Sequence, residues 1–216
     1  LGDEHFVVHT KEGDYESKMV IWAAGTIAKQ IEAEGEEEYV GRGISYCAIC
    51  DGSFHEKQNV VVIGGGNSAI EEALYLAKIC KKVTIITRGH HFRADPVLME
   101  KVMRANNVDL VTHHVITKFT GKDLLEQVTA KDRDSDNEIV LNVRGAFIYV
   151  GFTPSSTLLE NFDILDEDKY IIVDRNCETK VTGLYAAGDC IQKNIRQIAT
   201  AVADGITCAS AIVRKI

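Results

Sequence analysis

The 216-residue chain is short of positive charge: 24 lysines and arginines stand against 32 aspartates and glutamates, a formal net charge of −8. A surface that neutralises phosphates needs the opposite balance, concentrated on one face, so nucleic acid is not expected as a partner. Long apolar runs are lacking too. None approaches the roughly 20 residues that cross a bilayer, and no charged-then-apolar leader opens the sequence, so no membrane association is expected and the cytoplasm is the expected address. Of the six cysteines, only Cys47 and Cys50 lie close together. This is no secreted disulfide framework, and structural zinc, which takes about four ligands usually from two close pairs, lacks its second pair. No metal site is expected. Cys80, Cys177, Cys190 and Cys208 read as small buried hydrophobes.

What is present is the balance of a globular protein, 45% hydrophobic and 26% charged. Residues 6–10 and the apolar run 18–25 read as a hairpin whose second strand is buried on both faces and ends on the small residues Ala23, Ala24 and Gly25. The acidic stretch 32–38 reads as a solvated face that leads into a glycine joint, Gly41-Arg42-Gly43. Then residues 60–63 form a strand, 67–79 carry a helical period through Ile70, Leu74 and Ala77, and 83–87 form a second strand: a β-α-β unit. Pro96 opens a helix that runs to Arg104, with Val97, Met99, Val102 and Met103 as its apolar members.

Beyond it the period shortens. Residues 109–111, 115–119, 124–130 and 138–143 predict an antiparallel meander placed before a return strand at 146–150, and Gly151-Phe152-Thr153-Pro154 mirrors the earlier joint. Residues 170–173 and 184–187 read as strands, Gly188-Asp189-Cys190 as a tight turn, and 195–216 as a long helix. An inner block, about 43–150, is thus bracketed by two pieces of an outer one. The outer pieces hold too little apolar material for a core of their own, which predicts a further segment upstream.

Gly64-x-Gly66-x-x-Ala69 leaves a strand and opens a helix, the setting of a dinucleotide fingerprint. Glycines let the backbone approach a pyrophosphate, whose charge meets the free amides and positive dipole of the helix. An NAD site would carry an acid about 20 residues on. Here Thr87-Arg88-Gly89-His90-His91-Phe92-Arg93 offers no acid and two arginines, which favours the 2′-phosphate of NADPH. His90 and His91 read as surface residues. In Cys47-Ala48-Ile49-Cys50-Asp51-Gly52 the cysteine spacing permits a small disulfide with a lowered thiol pKa, and Asp51 is placed to move protons as it opens. The same spacing also serves half of a zinc site. Hydride arrives as an electron pair, and passing it to a disulfide calls for an intermediary, of which flavin is the usual one.

In this order, the apolar run to Ala24-Gly25, the Cys47–Cys50 motif, Gly64-Gly65-Gly66-Asn67-Ser68-Ala69, Phe92-Arg93-Ala94, Gly188-Asp189 and Arg196-Gln197 resemble the low-molecular-weight thioredoxin reductase family over essentially the whole chain. The resemblance implies an α/β fold in which a three-layer, Rossmann-like NADPH-binding domain with an antiparallel β-meander is inserted in the remainder of an FAD-binding domain. Its implied bounds are 1–40 and 151–216 for the FAD-binding parts, and 41–150 for the NADPH-binding and redox-disulfide domain. Gly64, Gly65, Gly66, Asn67, Ser68, Arg88 and Arg93 would then hold NADPH, and Ala24, Gly25, Gly188, Asp189, Arg196, Gln197 and Ile198 would border FAD. Cys50 would face the flavin, Cys47 would attack thioredoxin or a similar small dithiol protein, and Asp51 would be the acid and base. The family works as a homodimer whose inner domain rotates, with Gly41–Gly43 and Gly151 as the implied hinges. The chain departs from the family in two places. It lacks the opening glycine fingerprint for the ADP half of FAD, and Thr87-Arg88-Gly89 stands where the family usually has His-Arg-Arg. The alternatives are therefore an NADP(H)-binding fragment without activity, or a relative that uses NADH or ferredoxin as donor or a peroxiredoxin as acceptor. A regulator that binds metal through Cys47 and Cys50 is a weaker rival.

Overall fold

Residues 60–63 are apolar throughout, and a strand of that kind must be covered on both faces. A computed structural model, which describes residues 5–216, shows what covers it. The chain divides into two compact units: an inner one of Ala28–Gly151, and an outer one that joins the residues up to Ile27 to Phe152–Ile216.

The outer unit opens with β1 (Phe6–Thr10) and β2 (Gly13–Ser17), an antiparallel hairpin closed through Thr10 opposite Gly13. The apolar strand β3 (Val20–Trp22) takes no part in it, and β4 (Thr26–Ala28) follows. The expected hairpin of 6–10 with 18–25 is therefore corrected. Lys11-Glu12 makes a tight turn that uses the polar residues 13–17 as the return strand, which frees β3 for a buried pairing elsewhere.

The inner unit contains α1 (Glu36–Tyr39), β5 (Ile44–Ser45), α2 (Ala48–Asp51), β6 (Asn59–Ile63), α3 (Asn67–Leu76), β7 (Lys82–Ile86) and α4 (Pro96–Met103). β8 (Val108–Val111), β9 (His114–Gly121), β10 (Leu125–Asp132), β11 (Glu138–Asn142) and β12 (Gly145–Ile148) complete it. Five parallel strands run in the order β5-β12-β6-β7-β8, and β11-β10-β9 form a separate antiparallel sheet. The alternation of side chains along each strand sorts the core into two layers. Val60, Val62, Val83, Ile85 and Phe147 pack against Ala69, Ile70, Ala73 and Leu76 of α3 and Val102 of α4. Val61, Ile63, Ile86, Ala146 and Ile148 pack against Ile116, Phe119, Leu125, Val128 and Ala130 of the meander. Helices, parallel sheet and meander are the three layers expected. Residues 109–111, expected in the meander, are instead the edge of the parallel sheet, where Ile85 pairs with Leu110. In α4 the Asp95 carboxylate accepts the Val97 amide at 2.7 Å as an N-cap, and Val102 alone of the four expected apolar members is fully buried.

The chain returns to the outer unit through β13 (Phe152–Pro154), which pairs with β4, and then β14 (Leu184–Ala186) and α5 (Ile198–Val213). β14 lies parallel to β3 with Ala186 opposite Trp22. Residues 170–173 form no strand: only Ile171 makes bridges, to Leu165 and Ile191. No helix among the described residues is long and apolar enough to cross a membrane.

The boundary expected at residues 40/41 falls inside the inner unit, because the 28–40 segment packs there. Ile31, Ala33 and Tyr39 join the meander core, and Glu34 bridges to Lys118. Glu36 is buried rather than solvated, its carboxylate accepting the Ile31 amide at 3.0 Å and facing the Tyr46 hydroxyl at 3.4 Å. Gly43 is likewise no loose joint: its φ is +126°, its carbonyl accepts the Ala146 amide, and a Cβ there would stand 2.5 Å from Leu125 Cβ. Gly43→Ala combines a backbone that L residues avoid with overpacking, and should cost about 3 kcal/mol in urea unfolding of the inner unit. A freely hinging Gly43 would give no measurable loss.

Candidate active site

Chemistry-bearing residues follow the carboxyl ends of the parallel strands. β5 ends at Ser45, and Cys47, in extended conformation, caps α2. Its sulfur accepts the Cys50 amide at 3.2 Å, so the turn that places Cys50 one helical step on also brings the two sulfurs together. They are bonded, with Cα atoms 5.3 Å apart. Cys50 is exposed and Cys47 half-buried. Ser45 Oγ accepts the Cys47 amide at 3.1 Å and donates to Asp51 Oδ2 at 2.6 Å, which ties the carboxylate to the residue that starts the turn. The Ala48 amide donates to the Tyr149 hydroxyl at 2.7 Å. Burial, above all, holds the Tyr149 hydroxyl well above the usual tyrosine range, so it stays protonated. Asp51, Ser45, Phe54, His55 and Gln58 line a cleft of about 510 Å³. Burial lowers the pKa of His55, against the opposing pull of Gln58 and the Asp51 charge.

β6 delivers the glycine turn, and its three glycines serve different ends. A Cβ on Gly64 would strike the Tyr149 carbonyl, and one on Gly65 would strike Thr87 Oγ1, so both are demanded by packing. A Cβ on Gly66 would meet no described atom within 4 Å. Gly66 is the N-cap of α3 without a side-chain cap, so the first amides of α3 face open space that a pyrophosphate fits. Asn67 and Ser68 are exposed there, and Asn67 Oδ1 also accepts the Asp95 amide at 2.8 Å. The Arg93 amide donates to the Gly65 carbonyl at 2.7 Å, which brings the arginine loop to the glycine turn; Arg88 and Arg93 are both exposed.

The remaining candidates lie on the outer unit. Pairing of β3 with β14 carries Ala24-Gly25 alongside Gly188-Asp189, and the Ala187 amide donates to the Trp22 carbonyl at 3.0 Å. Arg196 Nε donates to the Asp189 carbonyl at 3.1 Å while its guanidinium lies 3.9 Å over the Tyr170 ring. Gln197 is the N-cap residue of α5, and Ile198, which follows it, is 86% exposed. Asp189 Oδ1 is buried without a hydrogen-bond partner among the described residues, with the Lys193 ammonium 3.8 Å away. An orphaned acceptor beside a glycine turn and a helix N-terminus fits a polyhydroxyl chain carrying phosphate.

The sequence reading missed Ser45 and Tyr149, which hold the disulfide turn. Their spacing from Cys47 carries no signal for Tyr149, 101 residues from Ala48, whereas Ser45 two residues before a cap position is a recognisable turn former.

Residues 2–205 match the family described as pyridine nucleotide-disulphide oxidoreductase. A thioredoxin reductase of Bacillus subtilis is 39% identical over 98% of this chain and 67% of its own length. The bifunctional thioredoxin reductase/thioredoxin of Mycobacterium leprae is 36% identical over 95% of this chain and 45% of its own. The crystal structure of thioredoxin reductase from Streptococcus pyogenes superposes with a TM-score of 0.87 at 36% identity, covering 99% of this chain and 70% of that one. The chain thus spans about two thirds of such single-function relatives, 67%, 68% and 64% in three of them.

Burial pushes the Cys80 thiol up to about 11 and, with Cys177 beside it, the Cys208 thiol up to about 12; Cys177 and Cys190 are raised by burial as well. At pH 8 a thiol of pKa about 11 is roughly one part in a thousand thiolate, and thiolate is the reactive form. Mild reduction of the folded protein should therefore expose two thiols to a disulfide reagent within minutes, and denaturant should release four more. Rapid reaction of more than two in the folded protein would contradict the burial.

Proposed function

The chain belongs to the thioredoxin reductases of the pyridine nucleotide-disulphide oxidoreductase family, flavoproteins that use FAD and NADPH, and we propose that its Cys47–Cys50 pair reduces the disulfide of thioredoxin. One observation carries the proposal: the bonded pair and an open, uncapped dinucleotide turn share a single residue, Tyr149, within the inner unit. FAD, when bound, accepts hydride from NADPH and returns the electron pair to a disulfide. Two electrons and two protons convert Cys47–Cys50 to a dithiol. The Cys47 thiolate then attacks one sulfur of the partner's disulfide, Cys50 displaces the partner from Cys47, and the partner leaves as a dithiol while the Cys47–Cys50 bond re-forms. Asp51, held by Ser45, carries protons to and from the departing and attacking sulfurs.

Ile49 is 62% and Phe54 77% exposed near the pair, an apolar rim suited to a protein acceptor rather than a small polar one. Gly64, Gly65, Gly66, Asn67 and Ser68 would hold the pyrophosphate of NADPH, and the exposed Arg88 and Arg93 its 2′-phosphate. In the outer unit, Asp189, whose Oδ1 lacks a partner among the described residues, would hold FAD through a hydroxyl, with Ala24, Gly25 and Gly188 leaving room for it and Arg196, Gln197 and Ile198 bordering it. Ile198, Val202 and Ile206 recur every four residues on α5 and are 56–86% exposed, an apolar stripe that suits burial under further protein surface. A cytoplasmic homodimer belongs to the same reading.

With FAD supplied, Cys50→Ser should abolish thioredoxin reduction and leave the anaerobic bleaching of the flavin band by NADPH intact; equal loss of both steps would refute the assigned roles. Gly66→Ala should weaken NADPH binding by about tenfold or more while lowering stability by no more than the roughly 1 kcal/mol of a poorer N-cap, because its Cβ enters the open cradle and meets no described atom within 4 Å. Unchanged affinity would place the pyrophosphate elsewhere.

A further inference from the structure

Three loops converge beyond the carboxyl edge of the parallel sheet and present side chains that the redox reading does not use. His90 lies on the loop after β7, His113 on the turn between β8 and β9, and Asp134 on the turn between β10 and β11. Their donor atoms all fall within 4.8 Å of one another. The loops are laced by backbone: the His113 amide donates to the Gly89 carbonyl at 2.9 Å and the Arg133 amide to the His113 carbonyl at 3.0 Å. Arg133 Nη1 reaches the Arg88 carbonyl at 3.1 Å.

His113 itself is the anomaly. It has φ +60°, its side chain is only 13% exposed, and both ring nitrogens are buried without a hydrogen-bond partner among the described residues. Nε2 lies 2.9 Å from Asp134 Oδ2 but outside hydrogen-bonding alignment. A buried imidazole whose Nδ1 has no partner among the described residues, and whose Nε2 meets only a misaligned carboxylate, is a costly arrangement unless something else engages it. The exposed His90 ring stacks on it at 3.8 Å and 11°.

We propose that His90, His113 and Asp134 form a divalent transition-metal site, with zinc as its foremost occupant and water in the fourth position. Two imidazole nitrogens and one carboxylate suit a borderline ion, whereas magnesium and calcium take all-oxygen sets. Zinc bonds of about 2.0–2.2 Å put tetrahedral ligands about 3.3 Å apart, so small side-chain shifts close the set. His90 must leave its parallel stack to point a nitrogen inward, a rotation its exposed position permits. Asp134, 75% exposed, closes the set from the third loop.

The test is zinc competition against a chromogenic chelator, on protein whose Cys47–Cys50 bond is kept oxidised so that its thiolates cannot bind. Wild type should take up one zinc per chain in the micromolar range or tighter, with a raised melting temperature, and millimolar magnesium should not displace it. His90→Ala and Asp134→Asn change exposed side chains; each should keep the metal-free melting temperature and weaken zinc by about tenfold or more. Absence of zinc binding, wild-type zinc affinity in either variant, or displacement by magnesium would each overturn the site.

Discussion

Tyr149 is the point on which the inner unit depends. It follows β12, the last strand to enter the parallel sheet and the one that lies between β5 and β6. Its amide donates to the Ile63 carbonyl, its own carbonyl presses on Gly64, and its hydroxyl accepts the Ala48 amide. One residue thereby fixes the glycine turn after β6 and the cysteine turn after β5 to a common wall. Because the strands are parallel, the turns that leave their carboxyl ends emerge on one edge, and ligands gather there. The disulfide, the open cradle at Gly66 and the His90–His113 pair are successive products of the same topology, from β5 through β6 and β7 to β8.

Local pattern was legible in the amino-acid sequence wherever the signal is itself local. The β-α-β unit of β6, α3 and β7 follows from an apolar run, a glycine turn and a helical period, and the structure reproduces it with a helix that ends three residues short. The three meander strands and the turn at 132–137 follow in the same way. Partners were another matter. A strand's sequence states how it is covered and not what it pairs with, so pattern alone puts residues 109–111 in the meander and residues 18–25 in a hairpin. Both errors concern strands whose true partners, β7 and β14, lie far along the chain or across a helix.

Residue type also conceals function when one amino acid serves opposite needs. Gly43 and Gly64 are required by the neighbours that a side chain would strike, whereas Gly66 has open space where a ligand would sit. In the sequence Gly64 and Gly66 read alike, as two members of one fingerprint, and Gly43 reads as a joint. Glu36 looks like one acid in a solvated run but is buried because its carboxylate satisfies the Ile31 amide. The candidate site divides along the same line: Cys47, Cys50, Asp51 and the glycines were legible from spacing, and Ser45 and Tyr149, which hold them, act through contacts that no motif records.

The outer unit shows why a core can be locally well made and still call for a cover. Leu184, Ala186, Cys190 and Ile171 pack tightly beneath β3 and β14, and Tyr185 with Cys208 seals the other face of that strand pair against α5. Yet α5 turns its apolar stripe outward, and Asp189 buries an oxygen that nothing among the described residues satisfies. Apolar area and an orphaned acceptor carry free-energy penalties of different origin, one from water ordering and one from a lost hydrogen bond. An apolar surface laid on the stripe would remove the first penalty, and a hydroxyl donor brought to Asp189 the second. A well-packed interior and an unanswered surface thus coexist in one unit, because the first depends on the unit's own residues and the second on what would bind it.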